Sequence, residues 1–130
     1  PKKYVEDNLE AGKDVLLEIE IQGALKIREK YPEAILIFVT PPSGEELRRR
    51  LVGRGTETME VIEKRLRRAM QESEGVEAYD YILVNDNIDT CTEKLHNLIR
   101  AAHEKGSRHM DIIENVRQDL RRMEHVTANI

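Results

Sequence analysis

The stretch AILIFVTPPSGEEL, residues 34–47, joins a continuous apolar run to a polar segment rich in turn residues. The apolar run has the length of a strand and no alternating polar position, which is typical of a strand covered on both faces. Ser43 followed by Glu46 is a capping-box pattern, and it predicts a helix over roughly 44–52. A strand that turns directly into a helix indicates a parallel sheet with helical crossovers.

The same patterns extend outward along the chain. Period-two alternation in DVLLEIEI predicts a first strand over 14–21, and YILV predicts a third over 81–84, beside the second at 34–39. Apolar spacings of three and four predict helices at roughly 2–11, 23–31, 44–52, 59–73, 91–105 and after Gly106, with Thr90 and Glu93 capping the fifth. The order α-β-α-β-α-α-β-α-α predicts an α/β layered domain. Three strands leave the margins of a sheet poorly covered, so we expect a partner strand outside this chain.

Composition bounds the classes of function. The 130 residues suffice for one domain with a core, and 35% of them are charged, which predicts a heavily charged surface. A net charge of -4, from 21 basic and 25 acidic residues, argues against a general polyanion binder. Aromatic residues make up 4% of the chain, with one Phe and no Trp, so the stacking surface of a nucleic-acid binder is missing.

Several other features predict little chemistry. The single cysteine, Cys91, excludes an intramolecular disulfide framework, is typical of a cytoplasmic protein, and is best interpreted as small buried filler. The four histidines lack the spacing of a metal site. Neither a signal peptide nor an apolar run of about 18 residues is found, so no membrane span is predicted. A first residue of proline rather than methionine agrees with a fragment or a processed product.

Polar residues gather where the predicted strands end, which is where open parallel sheets bind ligands. The second strand ends at Thr40 and the third at Asn85. Glu18 and Glu20 lie two apart, so a strand places both carboxylates on one face. Because an unpaired buried carboxylate is costly, they indicate a cation such as Mg²⁺ held through water, a hydrogen-bonding ligand, or an edge strand with one solvated face.

The segment GRGTETMEVIEKRLRR, residues 53–68, contains four arginines and a lysine. Arg54 lies between two glycines, where the backbone can approach an anion and the guanidinium fork suits phosphate oxygens. Arg65 lies about two turns into the next predicted helix and can aim at the same point. Mobile arginines stabilise the charge that develops on a transferring phosphoryl group, and flanking glycines suit a hinge.

Part of this positive charge has a simpler interpretation. Three glutamates, Glu57, Glu60 and Glu63, are interleaved with the basic residues, as in a solvated helix with Glu–Arg pairs. Such pairing accounts for Arg67 and Arg68. It accounts poorly for Arg54, because a loop arginine gains nothing from helical pairing.

Four segments in order resemble the carboxyl-terminal part of guanylate kinase: DVLLEIEIQGA, IFVTPPSGEELRRRLVGRGTET, EVIEKRLRRA and YDYILVND. The resemblance is nearly continuous from Pro1 to about Ala101, and GRGTET is its most diagnostic part. It implies a P-loop nucleoside-monophosphate-kinase fold, with a partial parallel sheet flanked by helices and a helical lid at about 43–75. Residues 1–106 then form a partial core, and 107–130 form an amphipathic helix of the same domain.

The resemblance implies transfer of the terminal phosphate of ATP to GMP, giving ADP and GDP, with Mg²⁺ as cofactor. Arg54 matches the lid arginine and Arg65 the arginine of the following helix, both of which contact the transferring phosphate. Arg50 and Asn85 match positions on the adenine side of ATP.

The acids match the family's acidic pair. Glu20 matches the residue that helps to read the guanine, and Glu18 the one nearer Mg²⁺ and the phosphates, with contact to the metal through water rather than directly. The family usually has Asp where Glu20 stands, and the longer side chain makes its contact with the base a departure from the pattern.

The Gly-rich phosphate loop with its Lys-Ser/Thr is not found in this sequence, nor is most of the GMP-binding segment. We therefore expect the chain alone to be inactive, and the strand of that loop to be the missing sheet partner. The alternative to catalysis is a guanylate-kinase-like module that binds phosphopeptides. The implied partners are GMP and ATP, without nucleic acid or membrane; an oligomer through the last helix is possible, and the setting is cytoplasmic purine nucleotide metabolism.

Overall fold

A computed structural model describes residues 2–128, with side chains through residue 124. The described chain is rich in helix and contains a small parallel sheet. Its elements are α1 (Lys2–Glu10), α2 (Ile21–Lys30), β1 (Ile37–Thr40), α3 (Gly44–Gly53), α4 (Met59–Ser73), a 3₁₀ turn (Val76–Ala78), β2 (Tyr81–Val84), α5 (Ile88–His103), a second 3₁₀ turn (Gly106–Arg108) and α6 (Met110–Ala128).

The sheet of the described residues consists of β1 and β2 side by side. The Asp80 amide donates to the Leu36 carbonyl at 2.8 Å, and the Asn85 amide donates to the Thr40 carbonyl at 2.7 Å. Both partners advance along the chain together, so the strands are parallel. The predicted third strand over 81–84 is confirmed, and the second begins at Ile37 rather than Ala34.

The predicted first strand over 14–21 is wrong for the described structure. Residues 13–20 have no regular secondary structure, and α2 begins at Ile21. A strand exists only where a neighbour pairs with its backbone, and alternation alone does not supply that neighbour. Leu16 is 70% exposed, so the alternating apolar residues of this segment are not buried as a strand face would be.

Local capping explains where several helices begin and end. Gly12, just after α1, has φ +79, a conformation that favours glycine and ends a helix as predicted. The Ser43 hydroxyl accepts from the Glu46 amide at 3.0 Å, which confirms the predicted start of α3. The predicted cap at Thr90 is wrong: the Asn87 side chain accepts from the Thr90 amide at 3.1 Å, so α5 begins at Ile88.

The chain divides into two compact units, of which the first comprises Pro1–Phe38 and Arg48–Tyr81. Its buried apolar side chains come from α2, the residue before β1, α3 and α4: Ala24, Leu36, Leu51 and Ile62. Ile62 is the most deeply buried of these, at 2% exposure. This unit holds the acids and all the candidate arginines of the sequence analysis.

The second unit comprises Val39–Leu47 and Ile82–Ile130. Leu83 and Cys91 are buried there, and Cys91 is a free cysteine, which confirms its interpretation as buried filler. Val39 is 50% exposed on β1, so the apolar run is not covered on both faces as predicted, and Ile82 on β2 is 56% exposed.

The last helix, α6, covers most of the segment predicted as 107–130, of which residues 129–130 lie outside the described residues. Its predicted apolar stripe is exposed in the described chain, at Met110, Ile113, Val116, Leu120 and Met123. Within residues 2–128, no helix is long and apolar enough to cross a membrane. The assignment of 1–106 and 107–130 to one domain stays a prediction.

Candidate functional site

The loop between α3 and α4 carries Arg54. Gly53 is the last residue of α3, and Gly55 has φ +65, a backbone conformation that residues with a Cβ rarely adopt. Arg54 between them is exposed and has no hydrogen-bond or ion-pair partner among the described residues. The two glycines thus present one arginine on a turn where an anion can approach both guanidinium and backbone.

A capped helix follows this loop and carries Arg65. The Thr58 side chain accepts from the Val61 amide at 3.3 Å, and Glu60 lies in the first turn, where a negative charge favours the helix dipole. Because α4 begins at a fixed residue, the position of Arg65 relative to the loop is set by the helix. Its side chain is 50% exposed, so an anion from solvent can reach it.

Arg65 is held by a carboxylate of the same loop. Its Nη2 lies 2.6 Å from Glu57 Oε1 in an ion pair, and the Glu57 side chain is only 18% exposed. The other carboxylate oxygen, Oε2, is buried and lacks a hydrogen-bond partner among the described residues. The prediction that Glu57 belongs to the helical pairing is wrong, because Glu57 precedes α4. Only tertiary geometry reveals its contact with Arg65.

Helical pairing does occur further along α4. Arg68 Nε lies 3.3 Å from Glu72 Oε1, four residues on, with the arginine side chain 73% exposed. This is the solvated-helix arrangement predicted for Arg68, and such exposed pairs contribute little to stability. Arg68 is therefore paired along the surface of its own helix, whereas Arg65 is paired with a carboxylate of the preceding loop.

Glu20 is the N-cap of α2 rather than part of a strand. Its Oε2 accepts from the Gln22 amide at 2.8 Å, and its Oε1 accepts from the Gly23 amide at 2.7 Å. These are backbone donors that a helix start otherwise leaves unsatisfied. The carboxylate is exposed yet oriented by two hydrogen bonds, so the solvated strand face proposed for Glu18 and Glu20 is wrong.

Gly23 leaves the space in which this carboxylate sits. A Cβ added at Gly23 would lie 2.9 Å from Glu20 Oε1 and 3.4 Å from Ile19 Cδ1. Any side chain at this position therefore pushes against the capping oxygen. The requirement was not predicted from the sequence, because a glycine in the first turn of a helix has no local signature that distinguishes it from an ordinary one.

Tyr79 lies close enough to the acid region to respond to its charge. Burial raises the pKa of the Tyr79 phenol, and the negative charges of Glu20 and Glu72 raise this pKa further. The ring packs edge-to-face on Phe38, with ring centroids 5.4 Å apart and planes at 75°. Burial and these two carboxylates therefore favour the neutral form of the Tyr79 phenol.

A second set of contacts fixes the far end of α2. Asp80 Oδ2 accepts from the Leu36 amide at 2.8 Å and from the Arg28 guanidinium. Arg28 Nη1 also donates to the Ala78 carbonyl at 3.1 Å, and its Nη2 donates to the Ala34 carbonyl at 3.4 Å. Because Arg28 lies in the last turns of α2, one side chain ties this helix to the segments that precede both strands.

The remaining predicted residues occupy separate places. Glu18 is exposed in the segment before α2. Arg50 is half-buried on α3. Asn85 is half-buried directly after β2 in the second unit, and its amide donates to Thr40. Within residues 2–128, no group of three or more His, Cys, Asp or Glu side chains is arranged to hold a metal ion.

Comparison with known proteins identifies relatives of this chain. A family model described as guanylate kinase matches residues 2–102. The guanylate kinase of Halalkalibacterium halodurans is 48% identical over 108 residues, which cover 83% of this chain and 53% of that relative. The guanylate kinase of Caldanaerobacter subterraneus is 46% identical over 119 residues, covering 92% and 58%. That of Bacillus subtilis is 49% identical over 108 residues, covering 83% and 53%.

A solved structure agrees with these relatives. The crystal structure of guanylate kinase from Anaplasma phagocytophilum matches with a TM-score of 0.68 and 39% identity, covering 83% of this chain and 50% of that one. The match confirms the expected P-loop nucleoside-monophosphate-kinase fold. The chain spans about half the length of the curated relatives it matches. With the family model covering residues 2–102, the chain belongs to the guanylate kinase family.

Proposed function

We propose that this chain supplies the lid, the acidic pair and part of the adenine side of an enzyme that transfers a phosphoryl group from ATP to GMP, giving ADP and GDP. The observation that carries this proposal is Arg54, exposed between two glycines of the α3–α4 loop and without a partner among the described residues. An exposed arginine without a partner forms no contact that would stabilise the loop. Binding to a strongly anionic ligand accounts for an arginine in this position.

At the phosphate end, the chemistry calls for positive charge on the oxygens of the group in transit. A guanidinium offers several N–H donors in one plane, which match those oxygens better than a point charge does. Arg54 provides one such group on a glycine-flanked loop, and Arg65 provides a second on α4 with half of its side chain exposed. Both act by stabilising charge that is larger in the transition state than in ATP.

At the base end, Glu20 is suited to read guanine. Each oxygen of its carboxylate accepts one backbone amide and retains a further lone pair. Guanine presents two adjacent donors, its ring N1–H and its 2-amino group, which two acceptor oxygens can receive together. The helix cap holds the carboxylate in place, so the longer side chain of Glu is compatible with the role that Asp usually has in the family.

Magnesium belongs to this proposal as the companion of ATP. Mg²⁺ usually keeps several waters and binds mainly to phosphate oxygens, so it does not need an all-protein site. Exposed Glu18 is the residue that would hold it, through water. Bound there, Mg²⁺ would neutralise part of the phosphate charge.

Arg50 and Asn85 complete the proposal on the adenine side of ATP. Both are half-buried, the first on α3 and the second after β2. Each side-chain type can hydrogen-bond to a purine, since a guanidinium donates and an amide both donates and accepts. We place the reaction in cytoplasmic purine nucleotide metabolism, which the single free cysteine supports.

The test is a coupled assay of ADP formation in the natural polypeptide that carries this chain. We expect ADP formation to require both ATP and GMP, and the Arg54→Ala variant to lose most of the turnover while the Arg67→Ala variant keeps it. Undiminished turnover in Arg54→Ala would show that the role of Arg54 is wrong. No ADP formation, together with phosphopeptide binding that depends on Arg54, would identify a non-catalytic module instead.

A further inference from the structure

Glu57 has no role in the function proposed so far, yet its surroundings are unusual for a loop glutamate. Its side chain is 18% exposed, while its neighbours Arg54, Thr56 and Thr58 are exposed. Carboxylates are rarely withdrawn from water without a partner, because desolvating the charge is costly. The partner here is Arg65, whose Nη2 lies 2.6 Å from Oε1.

The contact is directed at one atom of the guanidinium. In the described structure, Nη2 of Arg65 is the nitrogen that pairs with Glu57. An arginine has five N–H donors, so the pairing does not require the others to face the same carboxylate. A two-point fork would occupy one whole edge of the guanidinium. A one-point contact fixes the direction of the side chain and leaves most of its donors for a second anion.

We propose that Glu57 is a positioning residue for phosphoryl transfer, which holds the guanidinium of Arg65 in the orientation that meets the transferring phosphate. This inference rests on the proposed function of Arg65. A long arginine side chain that is half exposed samples many rotamers, and a buried carboxylate at its tip removes that freedom before the substrate arrives. Glu57 itself touches no substrate.

The partnerless oxygen of Glu57 supports this assignment. Oε2 is buried and accepts no hydrogen bond among the described residues, so the carboxylate is not fully satisfied by the fold alone. A buried carboxylate stabilises a fold most when both of its oxygens accept hydrogen bonds. Glu57 instead has an ion-pair partner at one oxygen only, and that partner is Arg65.

The pair formed by Arg68 and Glu72 is the matched control on the same helix. It joins the same residue types at 3.3 Å, with both partners more exposed than Glu57, and it carries no proposed role in catalysis. Removing Glu72 tests what the loss of an ordinary ion pair of α4 does to turnover.

The experiment is a double-mutant cycle in the natural polypeptide, with kcat, KM and thermal stability measured for Glu57→Ala, Arg65→Ala and the double variant. We expect Glu57→Ala to lower kcat roughly 10–100-fold, the range for a misplaced catalytic group, with KM for ATP and GMP changed less than about threefold. In the Arg65→Ala background, the same substitution should change kcat by less than about threefold. Glu72→Ala should leave kcat unchanged in either background.

A purely structural role gives a different pattern. If Glu57→Ala lowers kcat by the same factor with and without Arg65, or leaves it undiminished, the inference is wrong. Glu57→Gln, of equal size, replaces Glu57→Ala if the latter does not fold, and failure of both to fold assigns Glu57 to stability and overturns the inference. Loss of turnover in Arg54→Ala and Arg65→Ala but not in Glu57→Ala overturns this inference alone, whereas no turnover in the unaltered polypeptide overturns the proposed function as well.

Discussion

The acidic and basic parts of the candidate site are held in place by different means. Glu20 is oriented by two backbone amides of α2, so its carboxylate is fixed by the helix that follows it. Arg54 lies on a loop between glycines without any partner in the described chain, and Arg65 is held by one side chain. The acidic part is therefore oriented by backbone amides, which makes it the rigid end of the site. The basic part depends on a glycine-flanked loop and one side-chain ion pair, which makes it the adaptable end.

This difference fits the chemistry proposed for each end. A planar base is recognised through two hydrogen bonds of defined direction, and such recognition benefits from a preformed acceptor. A phosphoryl group changes its charge distribution during transfer, and a clamp that closes on it must be able to move. On the proposed function, the rigid end sets specificity, and the adaptable end stabilises the transition state.

The largest effect on turnover should come from removing an arginine of the adaptable end. Arg54→Ala should lower kcat by roughly 100–1000-fold, the cost of removing one donor group aimed at developing charge. Arg54→Lys restores the charge but not the planar fork, and it should recover no more than about tenfold of that loss. Steady-state kinetics of the natural polypeptide measure both, with Arg67→Ala as the control on the surface of α4.

A lysine variant as active as the unaltered protein would contradict this prediction. It would mean that a point charge suffices, and that the fork geometry of Arg54 does not contribute.

The next effect concerns the frame of the rigid end. Asp80→Ala removes the acceptor of both the Leu36 amide and the Arg28 guanidinium, and it leaves the latter without its ion partner. The free energy of unfolding should fall by about 2 kcal/mol, because partly buried hydrogen bonds to a charged group are lost. Urea denaturation of the natural polypeptide measures this change.

Glu72→Ala is the control for Asp80→Ala, since it breaks an exposed ion pair and should change stability by no more than about 0.5 kcal/mol. Equal effects of the two substitutions would show that the contacts of Asp80 are no stronger than those of a surface pair.

A smaller effect should follow from crowding the acceptor itself. Gly23→Ala places a Cβ 2.9 Å from Glu20 Oε1, and the end of that flexible side chain moves more easily than the helix. KM for GMP should rise by about tenfold as the carboxylate shifts away from two-point recognition. The melting temperature should change little, since alanine also favours the helix.

Gly44→Ala is the matched control for this substitution. An added Cβ at Gly44, the first residue of α3, meets nothing within 4 Å. An unchanged KM for GMP in Gly23→Ala would contradict the assignment of Glu20 to guanine recognition.

The smallest effect is the dependence of stability on alkaline pH. The pKa of Tyr79 is raised above the ordinary 10.0, first by burial and then by Glu20 and Glu72. The unfolded chain therefore loses this proton at lower pH than the folded chain, so the stabilising contribution is complete below pH 10 and is lost as pH rises through the folded pKa. Tyr79→Phe should flatten the decline in melting temperature above pH 10, and an unchanged decline would contradict the assigned shift.

Sequence patterns predicted the parts of the fold whose causes are local. Helix α4 over 59–73 and strand β2 over 81–84 carry strong periodicity or a compact apolar run, and both predictions are confirmed. The strand predicted over 14–21 is wrong because alternation describes a face without naming a neighbour to pair with it. Asn87 displaced Thr90 as a cap because two good capping residues lay within one turn.

The candidate site shows the same limit. Arg54 stood out because glycines flank it, which is a local signal. Asp80 did not, because its partners Leu36 and Arg28 lie 44 and 52 residues away. Glu57 resembled a helical pairing residue in the sequence, and only the folded loop shows that it precedes the helix and meets Arg65 instead.

The helix cap at Glu20 has a consequence for which bases are refused. The Glu20 carboxylate already accepts two backbone amides, and the lone pairs that remain to it are acceptors. Adenine offers a ring nitrogen lone pair at the position where guanine offers N1–H, so lone pair would meet lone pair. On the proposed function, the first turn of α2 thus excludes AMP by repulsion as much as it selects GMP by attraction.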